Sequence, residues 1–174
     1  MFALVRAHMT ARDINALLNA VIFNIAIGNV GSHAKNYSVL LAPRRIELAP
    51  LYDLMSGLDW PNITQNHAQA VDDQRRGCHI HGRHWRRMAD ACGLSKPGVV
   101  RGIEALTTRL LAELPAAEDE VAGMPAGGVR MLPIFATSIG ERARLVQANA
   151  KRDPEEADPE VIEPEDENRT YGDV

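Results

Sequence analysis

The chain has 174 residues, the length of one domain with a real core and too short for two large lobes. Its composition, 45% apolar but only 5% aromatic, predicts a globular body built mainly on Leu, Ile, Val and Ala. The net charge of -4 belongs to the last 24 residues, where ten acidic side chains meet three basic ones; the remaining 150 residues carry +3.

Cys78 and Cys92 are too few and too far apart for a disulfide scaffold or a thiolate metal site. Met1 to Val5 is a short apolar run without a basic leader or a small-residue cleavage signature, and no stretch reaches about eighteen uninterrupted apolar residues. The expectation is a cytoplasmic protein without a membrane span.

Thr10-Ala11-Arg12-Asp13 predicts a helix start, with Thr10 as N-cap and Asp13 answering it three residues on. Ile14, Leu17, Leu18, Val21, Ile22 and Ile25 recur at helical spacing, Ala16, Ala20 and Ala26 allow close packing, and Gly28 is the expected stop. Tyr37 to Leu41 and Ile46 to Leu48 read as two short strands joined by a turn at Pro43-Arg44-Arg45, a hairpin directly after a polar loop. Met55 to Gly82 shows no periodicity and reads as a long irregular segment.

His84 to Cys92 reads as a helix ended by Gly93, with Trp85, Met88 and Ala89 inward and Arg86 and Arg87 in water. Ser95 is expected to cap the next helix, which has Pro97 at an early position and an apolar face from Val99 to Leu111, ending at Pro115. Ala116 to Gly128 reads as a connection, Leu132 to Ala150 as a last helix in which Gly140 costs about 1 kcal/mol, and the chain after Lys151 as disordered. The domain is therefore residues 1–150 and the acidic tail 151–174.

The polar side chains gather between the first long helix and the hairpin. Asn36 and Asp53 offer hard oxygen ligands of the kind Mg²⁺ takes beside waters and phosphates, Lys35 can offset negative charge, and His33 can hydrogen-bond in the loop or to a phosphate. By themselves these residues fit a structural polar loop better than a site, since an Asn beside a Lys with a distant Asp is common in helical domains.

The run Gly28-Asn29-Val30-Gly31-Ser32-His33-Ala34-Lys35-Asn36-Tyr37-Ser38, followed by Leu48-Ala49-Pro50-Leu51-Tyr52-Asp53-Leu54, resembles the catalytic loop and metal-binding segment of the HipA family of serine/threonine toxin kinases. His84-Trp85-Arg86-Arg87-Met88-Ala89 with Gly93-Leu94 resembles the helix that follows. The resemblance covers about residues 10 to 150. It implies a mainly α, protein-kinase-like C-terminal lobe with a short β-hairpin, and Mg²⁺ and ATP as cofactors. It also implies that Asn36 and Asp53 are metal- and cofactor-binding residues, and that His33 and Lys35 shape the catalytic loop.

Gly31 stands where that family has its catalytic aspartate, and glycine supplies neither base nor side-chain acceptor. About nine residues precede the first helix, which leaves no length for a nucleotide-gripping N-lobe, and Asp72-Asp73-Gln74-Arg75-Arg76 replaces another family segment. The expectation is a kinase lobe without phosphotransfer that binds Mg·ATP weakly or not at all. The alternatives are one subunit of a split kinase completed by a separately encoded N-lobe, and a non-catalytic module that binds a helix-turn-helix antitoxin.

Other groupings have plainer readings. Cys78, His79, His81 and His84 lack the spacing of a closed zinc site, Trp85 reads as core, and Arg75, Arg76, Arg83, Arg86 and Arg87 read as solvated rather than as a nucleic-acid surface. The acidic tail is expected to fold back transiently onto the helix carrying Arg83, Arg86 and Arg87, an attraction screened over ~8 Å at physiological salt.

Overall fold

The computed structural model describes residues 1–43, 45–125 and 130–153. In chain order these form α1 (Phe2–His8), α2 (Ala11–Ala26), β1 (Val39–Ala42), β2 (Arg45–Leu48), β3 (Asn66–Val71), β4 (Gln74–Arg76), α3 (Gly82–Cys92), α4 (Lys96–Ala122) and α5 (Leu132–Asn149), with single 3-10 turns at Ala34–Asn36 and Gly77–His79. The architecture is mainly helical with two small antiparallel hairpins.

α2 starts where its sequence places the start. The Thr10 hydroxyl accepts from the Asp13 backbone N–H, and the Asp13 carboxylate accepts from the Thr10 N–H, a complete capping box. The other Asp13 oxygen accepts from the Leu48 N–H at 3.1 Å, so one carboxylate fastens both a helix end and the second strand of the first hairpin. The Thr10 hydrogen bond and then the Leu48 N–H hold its pKa below the ordinary carboxylate value.

Leu18, Ile22 and Ile25 of α2 meet Val71, Ile80, Trp85, Met88, Val99, Ile103 and Val146 in one core. Trp85 is fully buried, and removing a large apolar side chain of this kind from water is worth about 1.5 to 3 kcal/mol. Ile14 and Val21 lie only half-buried at the edge of the α2 stripe, and Ala16 is exposed. α4 begins at the Ser95 cap and packs against α2, α3 and α5.

Four expectations are corrected. Phe2–His8 is helical rather than a short apolar run, because Val5 and Phe2 reach the interior and give that turn an apolar anchor. The first hairpin begins at Val39 and returns from Arg45, with Val39 opposite Leu48 and Ala42 opposite Arg45.

The segment Met55 to Gly82 contains β3 and β4. Asp72, at φ 61, makes the tight turn, while His67 and Val71 point inward, so two anchors rather than an alternating apolar pattern define the strand. Its loop is also fastened: the Ser138 hydroxyl donates to Asp59 at 2.6 Å, and Trp60 lies 6.4 Å from the Phe135 ring centre.

Pro115 does not end α4, which runs on to Ala122. Proline removes one N–H and crowds the carbonyl four residues earlier. Here the helix surface from Ala112 to Ala117 is largely exposed, so water can serve the freed carbonyl, and Ala116, Ala117 and Glu118 favour continuation.

The last helix matches its expected span to within one residue, and Gly140 is buried on it with Leu114 of α4 as a neighbour. At its end the Gly82 N–H donates to the Arg152 carbonyl at 3.0 Å, and Arg86 pairs with Asp153. That contact lowers the pKa of Asp153, Arg86 first and the Arg83 backbone N–H after it. The expected disorder and fold-back of the tail beyond this point lie outside the described residues.

Candidate functional site

The loop between α2 and β1 is held from three sides. Gly28, at φ 68, ends α2, and its carbonyl accepts from the Gly57 N–H at 2.9 Å. A side chain at position 28 would put its Cβ 2.4 Å from Leu58, so both the conformation and the close approach require glycine. The Val30 carbonyl accepts from the Ala68 N–H at 2.9 Å, which joins the loop to β3.

Within this frame the expected pair does meet. The Asn36 side-chain amide donates to the Asp53 carboxylate at 2.7 Å and to the Gly31 carbonyl at 3.2 Å. Asn36 is buried at 8% exposure, whereas Asp53 is exposed. Asp53 adopts φ 55, a left-handed conformation that costs an L-residue roughly 1 to 2 kcal/mol and that Asp tolerates better than most. Tyr52 beside it spans from the Lys35 carbonyl at 2.7 Å to the Ser38 hydroxyl at 2.9 Å, closing the far side of the loop.

The other expected site residues lie on the same loop with different environments. His33 and Lys35 are exposed, and their side chains make no hydrogen bond with Asn36 or Asp53; the His33 carbonyl instead accepts from the Asn36 N–H at 3.0 Å. Gly31 is half-buried, and a Cβ there would have only Asn29 Oδ1 nearby, at 3.7 Å.

Behind the pair lies a polar network absent from the sequence reading. The Asn24 amide donates to the Ser32 hydroxyl at 2.9 Å and to the Tyr37 hydroxyl at 3.0 Å, and those two hydroxyls lie 3.0 Å apart. Asn29 donates to Asn24 Oδ1 at 3.0 Å and to the Asp53 carbonyl at 3.1 Å. His67 Nδ1 lies 3.2 Å from the Asn29 carbonyl, and because a carbonyl only accepts, this nitrogen carries the hydrogen. Burial, reinforced by the Arg142 guanidinium, lowers the His67 pKa to about 4. Asn24 could have been singled out as a polar residue interrupting the apolar Ile22–Ala26 stretch, since buried amides need partners. His67 had no such signal, because the sequence around it gave no strand.

Chemically, the pair offers one carboxylate and one amide oxygen, a donor set suited to a hard cation whose shell is completed by water or phosphate oxygen. No group of three or more His, Cys, Asp or Glu side chains placed to hold a metal occurs among the described residues. An open groove of ≈ 680 Å³ lies elsewhere, between α2 and the first hairpin, bordered by Asp13, Phe23, Leu40, Leu48 and Arg109. No helix among the described residues is long and apolar enough to cross a membrane.

The model of the HipA-like C-terminal domain matches residues 1–114. The chain is 29% identical over 137 residues to a putative kinase, Y4mE, of Sinorhizobium fredii, covering 79% of this chain and 32% of that protein. It is 30% identical over 105 residues to the serine/threonine-protein kinase toxin HipA of Shewanella oneidensis, covering 60% of this chain and 23% of the toxin. A chain in the solved complex of Shewanella oneidensis HipA, HipB and operator DNA superposes with a TM-score of 0.70 at 23% identity, over 78% of this chain and 32% of the other, a likeness of fold. The chain thus spans a third or less of the length of the curated relatives it matches.

Proposed function

The chain belongs to the HipA-like C-terminal domain family, and from that membership we propose that it is the helical lobe of a toxin–antitoxin kinase that transfers no phosphate as a 174-residue polypeptide. The observation that carries the reading is position 31. Gly31 presents only backbone to the space in front of Asn36, and its carbonyl is already engaged by the Asn36 amide. In a protein kinase a carboxylate of this loop accepts the proton of the substrate hydroxyl. Loss of such a group costs about 10² to 10⁴ in rate. Ser32 is no substitute, since its hydroxyl is committed to Asn24 and Tyr37 and is not basic at neutral pH.

In this reading Asn36 and Asp53 are the residues that would hold Mg²⁺, which supplies charge neutralisation of ATP phosphates when bound. The donor chemistry supports that assignment, and the 2.7 Å hydrogen bond from the Asn36 amide nitrogen keeps the two side chains adjacent. Lys35, exposed beside them, contributes positive charge, and His33 contributes to the shape of the loop. The polypeptide binds Mg·ATP weakly, because two protein oxygens alone do not grip a nucleotide.

Incubation of the purified polypeptide with Mg²⁺ and labelled ATP is expected to leave all protein unlabelled. Gly31→Asp, whose Cβ would meet only Asn29 Oδ1 at 3.7 Å, is expected to fold and to remain inactive. Labelled phosphate on any protein, or micromolar nucleotide affinity by calorimetry, would overturn the reading.

The first hairpin favours a second reading, in which another chain completes the lobe. Val39 and Leu41 on one face of β1 and Leu40 on the other are all exposed, Leu41 at 78%, apolar surface of the kind that marks an interaction site. A separately encoded N-lobe fits such a surface, and an antitoxin-like protein is the other candidate partner. Co-elution with a neighbouring gene product in size-exclusion chromatography, abolished by Leu41→Lys, is the expected result; separate elution removes this reading.

A further inference from the structure

Asn29 sits at the junction of three segments and is tied to them through its backbone and its side-chain amide nitrogen. It is 3% exposed. Its backbone N–H donates to the Asn24 carbonyl at 2.7 Å, its two side-chain hydrogens go to Asn24 Oδ1 and the Asp53 carbonyl, and its own carbonyl receives His67 Nδ1. The bond to Asp53 is the one with leverage. Asp53 is exposed and left-handed, so apart from the Asn36 amide on its carboxylate this bond is what opposes its relaxation to an ordinary backbone conformation, which would swing the carboxylate away from Asn36.

His67 in turn has a fixed place. It is 3% exposed, and its ring lies against Gly77, where a Cβ would come within 2.8 Å of Nε2 and 2.5 Å of Arg142 Nη1. The ring and the Arg142 guanidinium both close on the face of Gly77, which leaves no room for a side chain there. Its donor hydrogen is aimed at Asn29 by packing from β3, Gly77 and Arg142 together.

We propose that Asn29 is the positioning residue of the Asn36–Asp53 pair, holding Asp53 in its left-handed conformation through the Asp53 carbonyl, and that His67 is the packed strut that fixes Asn29. The proposal rests on the reading of Asn36 and Asp53 as a divalent-cation pair and extends it to the groups that set its geometry. Neither Asn29 nor His67 touches the cation. Their substitution changes affinity through the backbone at residue 53.

Mn²⁺ binding to the full 174-residue chain, read from loss of the free-ion paramagnetic resonance signal, tests this together with ¹H–¹⁵N spectra. Asn29→Ala is expected to weaken Mn²⁺ about tenfold, near the upper end of what one neutral hydrogen bond contributes. His67→Phe is expected to act in the same direction, and His67→Asn, which restores an N–H donor, to recover most of the loss. In the spectra the Asn36 side-chain amide and the Gly57 backbone amide move in Asn29→Ala and His67→Phe and return toward the parent in His67→Asn.

Affinity within about twofold of the parent with unmoved Asn36 resonances overturns the proposal. Should the parent and Asp53→Asn bind Mn²⁺ equally, the cation reading fails on its own. The brace is then decided by the spectra, supported if the Asn36 and Gly57 signals move as stated and overturned if they do not. If Asn29→Ala loses its folded spectrum, the His67→Phe and His67→Asn pair decides.

Discussion

The Asn36 amide reaches the Asp53 carboxylate at 2.7 Å across 17 residues and an intervening hairpin. The contact depends on Asp53 standing at φ 55, so the pairing and the backbone conformation are one arrangement.

Substitutions at Asp53 separate the two contributions. Asp53→Ala loses the acceptor for a buried amide, worth about 1 kcal/mol, and also places a Cβ without a local polar partner in the left-handed region. Asp53→Gly loses the same acceptor without the conformational penalty. Urea unfolding is expected to find the glycine variant more stable than the alanine variant by about 1 kcal/mol. Equal stabilities would show that the left-handed conformation is not retained in solution.

His67 ties stability to pH. Its folded pKa of about 4 lies below the ordinary value of 6.5, so between these limits the unfolded chain binds the proton and the folded chain does not. Stability from this group is complete above about pH 6.5 and is lost as pH falls toward 4, by at most about 1.4 kcal/mol per pH unit. His84, also lowered by burial first and then by Arg83, acts in the same sense. Unfolding free energy measured from pH 4.5 to 6.5 is expected to slope upward and to flatten in His67→Asn. Titration of the His67 ring near 6.5 in NMR would contradict the assignment.

Gly28→Ala meets two obstacles at once, the positive φ of 68 and a Cβ placed 2.4 Å from the Leu58 side chain. A loss of about 1 to 3 kcal/mol is expected from the strain and the forced repacking together. Hydrogen exchange localises it: the Gly57 amide, which donates to the Gly28 carbonyl, is expected to lose protection before the α4 core does. A variant with unchanged melting temperature would count against the close approach.

Thr10→Ala removes the cap of α2, and an N-cap hydroxyl is typically worth about 1 kcal/mol. The carboxylate of Asp13 loses its strongest partner in the same step, although it still receives the Leu48 N–H. Destabilisation is therefore expected to be accompanied by faster exchange at Leu48, while Thr10→Ser retains both. Exchange at Leu48 indistinguishable from the parent would separate the hairpin from the cap.

Local chemistry made much of this fold legible. The Thr10 capping box, Gly28 and Gly93 at positive φ, and the Ser95 cap each depend on one residue and its immediate neighbours, and each was readable without a structure. Pro115 was misread by the same logic, because a local penalty at an exposed position is small beside the packing that holds the rest of α4. β3 and β4 were not readable, since their stability comes from His67 and Val71 reaching a core formed by distant segments.

The sequence by itself determined which side chains are available, that Asn36 and Asp53 follow one another across a hairpin, and that no carboxylate stands at position 31. Only the tertiary structure decided that Asn36 and Asp53 touch, and that Asn24, Asn29 and His67 stand behind them. The physical reason is that these bonds join residues 17, 24 and 38 positions apart. Each bond alone is too weak to organise the chain. They form because the core around Ile22, Trp85 and Ile103 has already brought their segments together.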